Sequence, residues 1–266
     1  MGTDEAQIGV GRGEWRTPLQ YSVTVATPTR RTAKRKARRP RSKAQLSPAE
    51  IARRLAAVYG EPVWRPHGDP MTEFVLTILS QNTSDTNSGR AFMRLVRRYP
   101  DWRALMEAPV SEIEREIAVG GLAKQKAPRI KASLEAIWAA RGSFDLEFLR
   151  KMPLEEAKAW LREMKGVGPK TAACVLMFSF GRPALPVDTH VHRVSQRLGL
   201  VPERATAEQA HDILEAMLEP ELVFPFHISL IKHGRRLCRA QRPLCDQCPL
   251  LDGCPAGQAL RKRAAE

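Results

Sequence analysis

The chain has 266 residues, of which 43% are hydrophobic, so it is long enough and apolar enough to bury a sizeable core. No apolar run approaches the roughly 18 residues that span a bilayer, and no secretory leader pattern opens the chain, which argues against a membrane or secreted protein. The formal net charge is +14. A basic surplus of this size indicates a polyanionic partner, most simply nucleic acid.

The N-terminal segment 1–45 carries more than half of this charge. It holds 11 of the 43 lysines and arginines and three acidic residues, a net charge of +8, which leaves +6 for the rest of the chain. Residues 30–43 (RRTAKRKARRPRSK) are a block of like charge, which is typical of disorder. We interpret 1–45 as a basic tail that either tethers the protein to phosphates or is simply solvated.

From Ser47 onward, the apolar residues recur at helical spacing almost throughout. Ser47 and Glu50 have the spacing of a capping box, and Pro48 stands at the first helical position. The predicted helices are 48–59, 70–81, 85–98, 101–107, 111–118, 123–140, 145–150, 154–163, 169–180, 188–198, 206–217 and 221–236. Because no segment alternates convincingly with period two, the sequence predicts an all-α protein.

A hairpin between two helices is predicted at 164–171, which reads M-K-G-V-G-P-K-T. Gly166 and Gly168 permit a tight turn with positive φ angles, and Pro169 takes the first position of the following helix. The amides around Gly166, Val167 and Gly168, together with the helix N-terminus, form a concave set of donors. Such a site binds a phosphate without reading base sequence.

Lys170 lies in the first turn of the second hairpin helix. The positive end of the helix dipole and the apolar neighbours both disfavour its charged form. A neutral amine can attack C1′ of a sugar and form a Schiff base. The alternative is an ordinary phosphate-contacting lysine, and position alone does not separate the two. Cys174, one turn later, is predicted to be a buried core thiol.

Asp188 precedes the next amphipathic helix, within the segment 187–190 (V-D-T-H). A carboxylate there is a good helix N-cap. It could also present negative charge to a developing oxocarbenium cation, orient a water or relay a proton, and the sequence does not rank these roles. His190 and His192 are two positions apart on the helix, so they point to different faces and are poor candidates for a shared metal.

Four of the five cysteines lie close together near the C-terminus, with the spacing C-x6-C-x2-C-x5-C: Cys238, Cys245, Cys248 and Cys254. Such a group fits a metal site in a reducing compartment better than a disulfide framework. Iron–sulfur clusters and structural zinc both take four thiolates, and the spacing alone does not separate them. The six-residue gap is unusual for a zinc ribbon.

These three motifs, in this order, resemble the endonuclease III family of helix–hairpin–helix DNA glycosylases. The family's hairpin reads close to L-P-G-V-G-R-K-T-A, and residues 164–172 read M-K-G-V-G-P-K-T-A. The V-D-T-H segment is intact, and the cysteine spacing is that of the family's cluster. The resemblance extends over roughly residues 46–256.

The resemblance implies an all-α fold of two lobes with DNA between them. A six-helix barrel containing the hairpin would span 71–181, and an iron–sulfur cluster lobe would combine 46–70 with 182–256, leaving 257–266 as a C-terminal tail. The four cysteines would hold a [4Fe–4S] cluster. The resemblance also implies a monomer, and we expect a cytoplasmic protein, associated with the nucleoid if it is bacterial.

The implied activity is excision of damaged, oxidised pyrimidines from double-stranded DNA, followed by β-elimination at the abasic site. Lys170 matches the family's Schiff-base lysine and Asp188 its catalytic aspartate. The target base must leave the stack, so base flipping is implied. Arg239 and Arg242, between the first two cluster ligands, would contact the DNA backbone, although they could also be merely solvated.

One segment departs from the family pattern S-x-Q-x-x-D, in which the glutamine fills the gap left by the flipped base. Residues 80–85 read S-Q-N-T-S-D. Alignment on the serine and the aspartate puts Asn82 at the gap-filling position and Gln81 one residue early. We therefore expect both to contact DNA, with a changed preference for lesion or opposite base; alternatively, they only cap the helix end.

Two other functions remain open on the sequence. One is a monofunctional uracil or mismatch glycosylase of the same fold, against which the presence of Lys170 argues. The other is a non-catalytic DNA-binding protein that uses the hairpin and a four-thiolate metal site as clamps. Loss of Lys170 or Asp188 would favour that second alternative, and both residues are present.

Overall fold

The computed structural model describes residues 46–66 and 68–265, so the predicted tail 1–45 lies outside the described residues. The described part of the chain contains α-helices and short 3₁₀ turns and no strand, which confirms the predicted all-α class. None of its helices is both long and apolar enough to cross a membrane. The helices are α1 Pro48–Tyr59, α2 Pro70–Ser80, α3 Asp85–Arg98, α4 Trp102–Glu107, α5 Val110–Ile117, α6 Ala123–Arg141, α7 Leu154–Arg162, α8 Pro169–Phe180, α9 Thr189–Arg197, α10 Ala207–Glu215, α11 Pro220–Arg236 and α12 Pro255–Ala265.

The predicted helices agree with α1 to α11 to within two residues at each end, with two differences. The segment predicted as a helix at 145–150 forms a 3₁₀ turn, Glu147–Arg150. The segment treated as a C-terminal tail, 257–266, is helical through Ala265 as part of α12. This helix packs against α9 and against the 3₁₀ turns Cys245–Gln247 and Leu251–Gly253. The basic, weakly periodic sequence of this segment does not predict that packing.

Two hydrophobic clusters form the core of the molecule. The first joins α2 to α8, from Met71 to Ala184. The second joins α1 to the part of the chain from Leu185 to Cys254. Helix α8 belongs to both, with Val175 and Leu176 in the first cluster and Met177 and Phe178 in the second. A helix that is apolar all round is buried on all sides, and α8 is such a helix, lying where the two hydrophobic clusters meet.

Side-chain caps set the starts of several helices. Ser47 caps α1, because its hydroxyl accepts from the Glu50 amide at 3.2 Å. The predicted capping box is only half formed, since the Glu50 carboxylate pairs with Arg53 and Arg54 instead. Arg54 also pairs with Asp252 at 2.5 Å, which ties α1 to the turn beside Cys254.

Candidate active site and cysteine pocket

The predicted hairpin connects α7 to α8. Gly166 has φ +84°, and a Cβ there would lie 2.7 Å from Cδ of Arg129, so this position requires glycine for both conformation and space. Gly168 differs from the prediction, because its backbone is extended (φ −94°) and needs no glycine for its conformation. A Cβ at Gly168 would meet no heavy atom within 4 Å, so the start of α8 is open on that side. No side chain of the described residues caps this helix end.

Lys170 and Asp188 each stand at the start of a helix. Lys170 lies in the first turn of α8 and is half-buried. Asp188 is the N-cap of α9, as predicted, with Oδ1 accepting from the amides of His190 at 2.9 Å and Val191 at 2.7 Å. Asp188, like Lys170, is half-buried.

The charges of Lys170 and Asp188 affect the pKa values of two buried residues, Cys174 and His227. Burial raises the pKa of the Cys174 thiol to about 12, the Lys170 charge opposes this rise, and the Asp188 charge adds to it. Burial lowers the pKa of His227 to about 4, the Asp188 charge opposes the fall, and the Lys170 charge adds to it. Cys174 on α8 and His227 on α11 are therefore neutral at neutral pH. Cys174 is the buried core thiol that the sequence predicts.

The loop between α2 and α3 carries the two predicted gap-filling candidates, and they differ in their contacts. The amide of Gln81 donates to Gly166 O at 3.4 Å and to Thr171 Oγ1 at 3.3 Å, and its oxygen accepts from Arg129 Nη1 at 3.3 Å. Gln81 therefore bridges this loop to the hairpin. Asn82 is exposed and has φ +51°, a left-handed conformation that asparagine tolerates better than most residues.

Lys126 supports the same loop, and the sequence analysis missed it. Its side chain is 1% exposed, and its ammonium group donates to Leu79 O at 2.7 Å, Thr83 Oγ1 at 2.7 Å and Gly120 O at 3.0 Å. An ammonium group has three donors, and all three are used. Lys126 lies at the start of α6, where residues 123–126 read A-K-Q-K. Nothing in this sequence predicts that Lys126 is buried and Lys124 is not.

All four clustered cysteines line one pocket, which the structure encloses mainly with apolar side chains. Cys238 Sγ accepts from Arg197 Nη1 at 3.3 Å, and Cys254 Sγ accepts from the amide of Gly257 at 3.4 Å. Burial raises the pKa of the Cys248 thiol to about 11, and the neighbouring cysteines add to this rise. Donors that point at sulfur favour the thiolate form, which is the form that binds a metal.

The four thiols form a donor set that both kinds of metal centre accept. A tetrahedral zinc site needs four sulfurs about 2.3 Å from one point. Across residues 46–66 and 68–265, no group of three or more His, Cys, Asp or Glu side chains is close enough together to hold a single ion. Four thiols around a shared pocket match the four-cysteine ligand set of an iron–sulfur cluster.

The loop between Cys238 and Cys245 is held to α9 by an arginine. Arg197 donates to the carbonyl oxygens of Arg239 at 2.6 Å and Ala240 at 3.0 Å. Arg239 and Arg242 are both exposed on this loop, and Arg242 has φ +48°. The structure therefore presents both predicted DNA-contacting arginines on a braced surface loop.

Comparison with known families matches the part of the chain that holds the hairpin, Lys170 and Asp188. The profile of the HhH-GPD superfamily base excision DNA repair proteins matches residues 75–220. The chain belongs to this superfamily. The resemblance inferred from the three sequence motifs is thereby confirmed.

Two relatives show how far the HhH-GPD similarity extends. Endonuclease III of Thermotoga maritima is 36% identical over 208 residues, which is 77% of this chain and 91% of that protein. A protein of Arabidopsis thaliana is 38% identical over 186 residues, which is 66% of this chain and 64% of that protein. The chain thus spans a little under two thirds of the plant relative's length.

Solved structures of endonuclease III bound to DNA have the same fold. A non-covalent endonuclease III–DNA complex has a TM-score of 0.70 and 28% identity, and covers 83% of this chain and 100% of that chain. A trapped endonuclease III–DNA covalent intermediate has the same score and identity, with coverage of 81% and 99%. This HhH-GPD protein is a DNA-binding base excision repair glycosylase.

Proposed function

We propose that this glycosylase removes oxidised pyrimidines from duplex DNA and then cuts the abasic strand by β-elimination. The amine of Lys170 attacks C1′, the glycosidic bond breaks, and the base leaves with a proton. Opening of the sugar ring gives a Schiff base between Lys170 and C1′. Loss of a C2′ proton then breaks the C3′–O bond, and water releases the lysine.

One observation carries this proposal: Lys170 lies one turn before the buried Cys174 on α8, and Asp188 follows Pro186, whose carbonyl oxygen accepts from the buried His227 on α11 at 2.9 Å. The two functional groups therefore lie near the same buried pair, although they belong to different helices. In this arrangement the Lys170 amine would attack C1′, and the Asp188 carboxylate would stabilise the cationic sugar. The covalent endonuclease III–DNA intermediate that has been trapped supports a covalent step in this fold.

The remaining predicted site residues fit contacts along the DNA. We assign the amides of Gly166 and Gly168 at the start of α8 to a backbone phosphate. The Val167 amide, which the sequence also predicts as a phosphate donor, donates instead to Met164 O at 3.0 Å. We assign Asn82, which is exposed, to the gap left by the flipped base, with Gln81 as a bridge that holds the loop on the hairpin. The target duplex would then lie across the junction of the two lobes, bound by a single copy of the protein.

We assign Cys238, Cys245, Cys248 and Cys254 as ligands of a [4Fe–4S] cluster. The cluster would supply cross-links that keep the C-terminal turns folded. Through those cross-links and Arg197, the loop would present Arg239 and Arg242 to the DNA backbone. Each phosphate contact adds to affinity and to its salt dependence.

The experiment uses a duplex with a single thymine glycol and divides each time point in two. One half is assayed directly for strand breaks and free base, and the other after hot alkali. We expect breaks without alkali for wild type and for Lys165→Ala, an exposed lysine in the same hairpin, but none for Lys170→Ala. Free base with breaks only after alkali would replace the proposal with a monofunctional glycosylase.

A further inference from the structure

The segment that leads into Asp188 is extended and buried. Leu185 and Val187 belong to the second hydrophobic cluster and Pro186 between them is also buried, while the backbone of this segment forms no helix or strand. A buried backbone without regular structure must find hydrogen-bond partners elsewhere. Here these partners come from side chains of α10 and α11.

Three side chains form hydrogen bonds with the backbone of three consecutive residues of this segment. The Leu185 amide donates to Glu215 Oε1 at 2.7 Å. The Pro186 carbonyl oxygen accepts from His227 Nδ1 at 2.9 Å. The Val187 amide donates to His211 Nε2 at 3.4 Å. We call Glu215, His211 and His227 the Asp188 clamp.

The clamp holds its segment with uncharged imidazoles. A carbonyl oxygen only accepts, so Nδ1 of His227 carries the proton, and Nε2 of His211 accepts from an amide and is free of one. His211 is 6% exposed and His227 is 2% exposed. Lysine or arginine in either position would bring a positive charge that offsets the Asp188 carboxylate. Neutral rings leave that negative charge available.

Glu215 also connects the segment to the hairpin side of the site. Its second oxygen, Oε2, accepts from Lys158 Nζ at 2.7 Å, and Lys158 lies on α7, the first hairpin helix. Lys158 and Glu215 keep only 16% and 21% of their side-chain surface exposed. The Glu215 carboxylate thus bonds both to the extended segment before Asp188 and to α7. Helix α7 leads into the hairpin, and Lys170 lies just after that hairpin.

We propose that Glu215, His211 and His227 are positioning residues that fix the Asp188 carboxylate relative to Lys170. The inference rests on the proposed role of Asp188 in base release. A misplacement of about 1 Å in a catalytic group can cost about 100-fold in rate, so loss of one hydrogen bond in the clamp should be visible in the chemical step. Binding of DNA, which the hairpin and the arginine loop provide, should be spared.

The test compares His211→Met with His211→Gln. The two side chains are nearly the same size, but only glutamine keeps hydrogen-bonding groups where the imidazole has them. Single-turnover release of thymine glycol and affinity for a duplex with a tetrahydrofuran abasic analogue are measured for both, with wild type and Asp188→Asn alongside. Amide exchange of a peptide covering 185–190 is followed by mass spectrometry as a readout that needs no active substrate.

We expect His211→Met to release the base about 10-fold more slowly, with little change in affinity for the analogue, and glutamine to restore most of the rate. Exchange over 185–190 should be faster in His211→Met than in His211→Gln. Equal rates for methionine and wild type, equal losses for methionine and glutamine, or unchanged exchange would each overturn the clamp. An Asp188→Asn variant that works at the wild-type rate would instead refute the proposed role of Asp188.

Discussion

At the scale of single residues, the site is a pair of groups at two helix starts. We assign two functions to the Asp188 carboxylate: Oδ1 caps α9 through two amides, and the proposed chemistry uses the remaining charge. Capping alone would be served equally well by asparagine, since asparagine and aspartate are similar N-caps. The two functions can therefore be separated by one substitution.

We expect Asp188→Asn to slow base release about 100-fold and to leave thermal stability nearly unchanged. Asparagine keeps the cap but loses the charge that would stabilise the cationic sugar. Single-turnover kinetics and a thermal melt measure the two effects. Wild-type kinetics in this variant would reduce Asp188 to a cap, and a large fall in melting temperature would show that the carboxylate is mainly structural.

Lys126 shows how a buried charge can serve a surface loop. It lies 1% exposed and is bonded to three oxygens around the loop that carries Asn82. Burial lowers its pKa, yet each of its donors has an acceptor. Removing the ammonium group would leave those oxygens without a partner, and a buried unpaired polar group costs about 1–3 kcal/mol.

We expect Lys126→Met to lower the free energy of unfolding by about 3 kcal/mol, because methionine keeps the stem but none of the donors. Lys124→Met is the matched control, since Lys124 is exposed two residues earlier on the same helix. Urea denaturation of both variants measures the difference. Equal stability of the two variants would show that the three hydrogen bonds contribute little.

At the scale of elements, α8 and the cysteine turns organise the molecule. Lys170 lies at the N-terminal end of α8, and the rest of this helix packs into both hydrophobic clusters. The turns around Cys245 and Leu251 are short and contact α12. Such short turns bury little apolar surface, so the proposed cluster would be their main support.

We expect Cys248→Ser to lose iron, the yellow-brown colour of an iron–sulfur protein, and several degrees of thermal stability. Cys174→Ala is the control, because Cys174 is a core thiol outside the cysteine pocket, and this variant should keep its iron. Iron analysis and visible absorption are the measurements. A colourless wild-type protein with bound zinc would contradict the assignment.

Many features of these elements could be predicted from sequence because their causes are local. Helix periodicity, the G-V-G turn and the cysteine spacing each lie within a short stretch, and α1 to α11 agree closely with the predicted helices. Lys126 and the histidines at 211 and 227 could not be predicted as buried, because all of their partners except Gly120 lie 24 to 47 residues away. The docking of α12 depends on the cysteine turns beneath it, which is again a contact between elements.

At the scale of the whole molecule, three buried histidines link stability to pH. Burial lowers the pKa values of His211, His227 and His233 to about 4, from an ordinary value of about 6.5. Between those values the unfolded chain binds more protons than the folded chain, so protonation favours unfolding. Stability contributed by these neutral rings is therefore present above pH 6.5 and is lost as the pH falls towards 4.

We expect the melting temperature to fall steadily from about pH 6.5 to about pH 4, and His211→Gln to show a shallower fall because glutamine does not titrate. Thermal melts across this range in wild type and variant measure the slope. A variant slope as steep as that of wild type would mean that His211 does not contribute to the acid sensitivity.

The most direct test of the whole account is borohydride trapping of the protein on a duplex that carries one abasic site, followed by mass spectrometry of the cross-linked peptide. Borohydride reduces a Schiff base to a stable amine, so the adduct records which nitrogen attacked C1′. We expect an adduct at Lys170 in wild type and in Lys165→Ala, and none in Lys170→Ala. An adduct at another amine, or an undiminished adduct in Lys170→Ala, would contradict it.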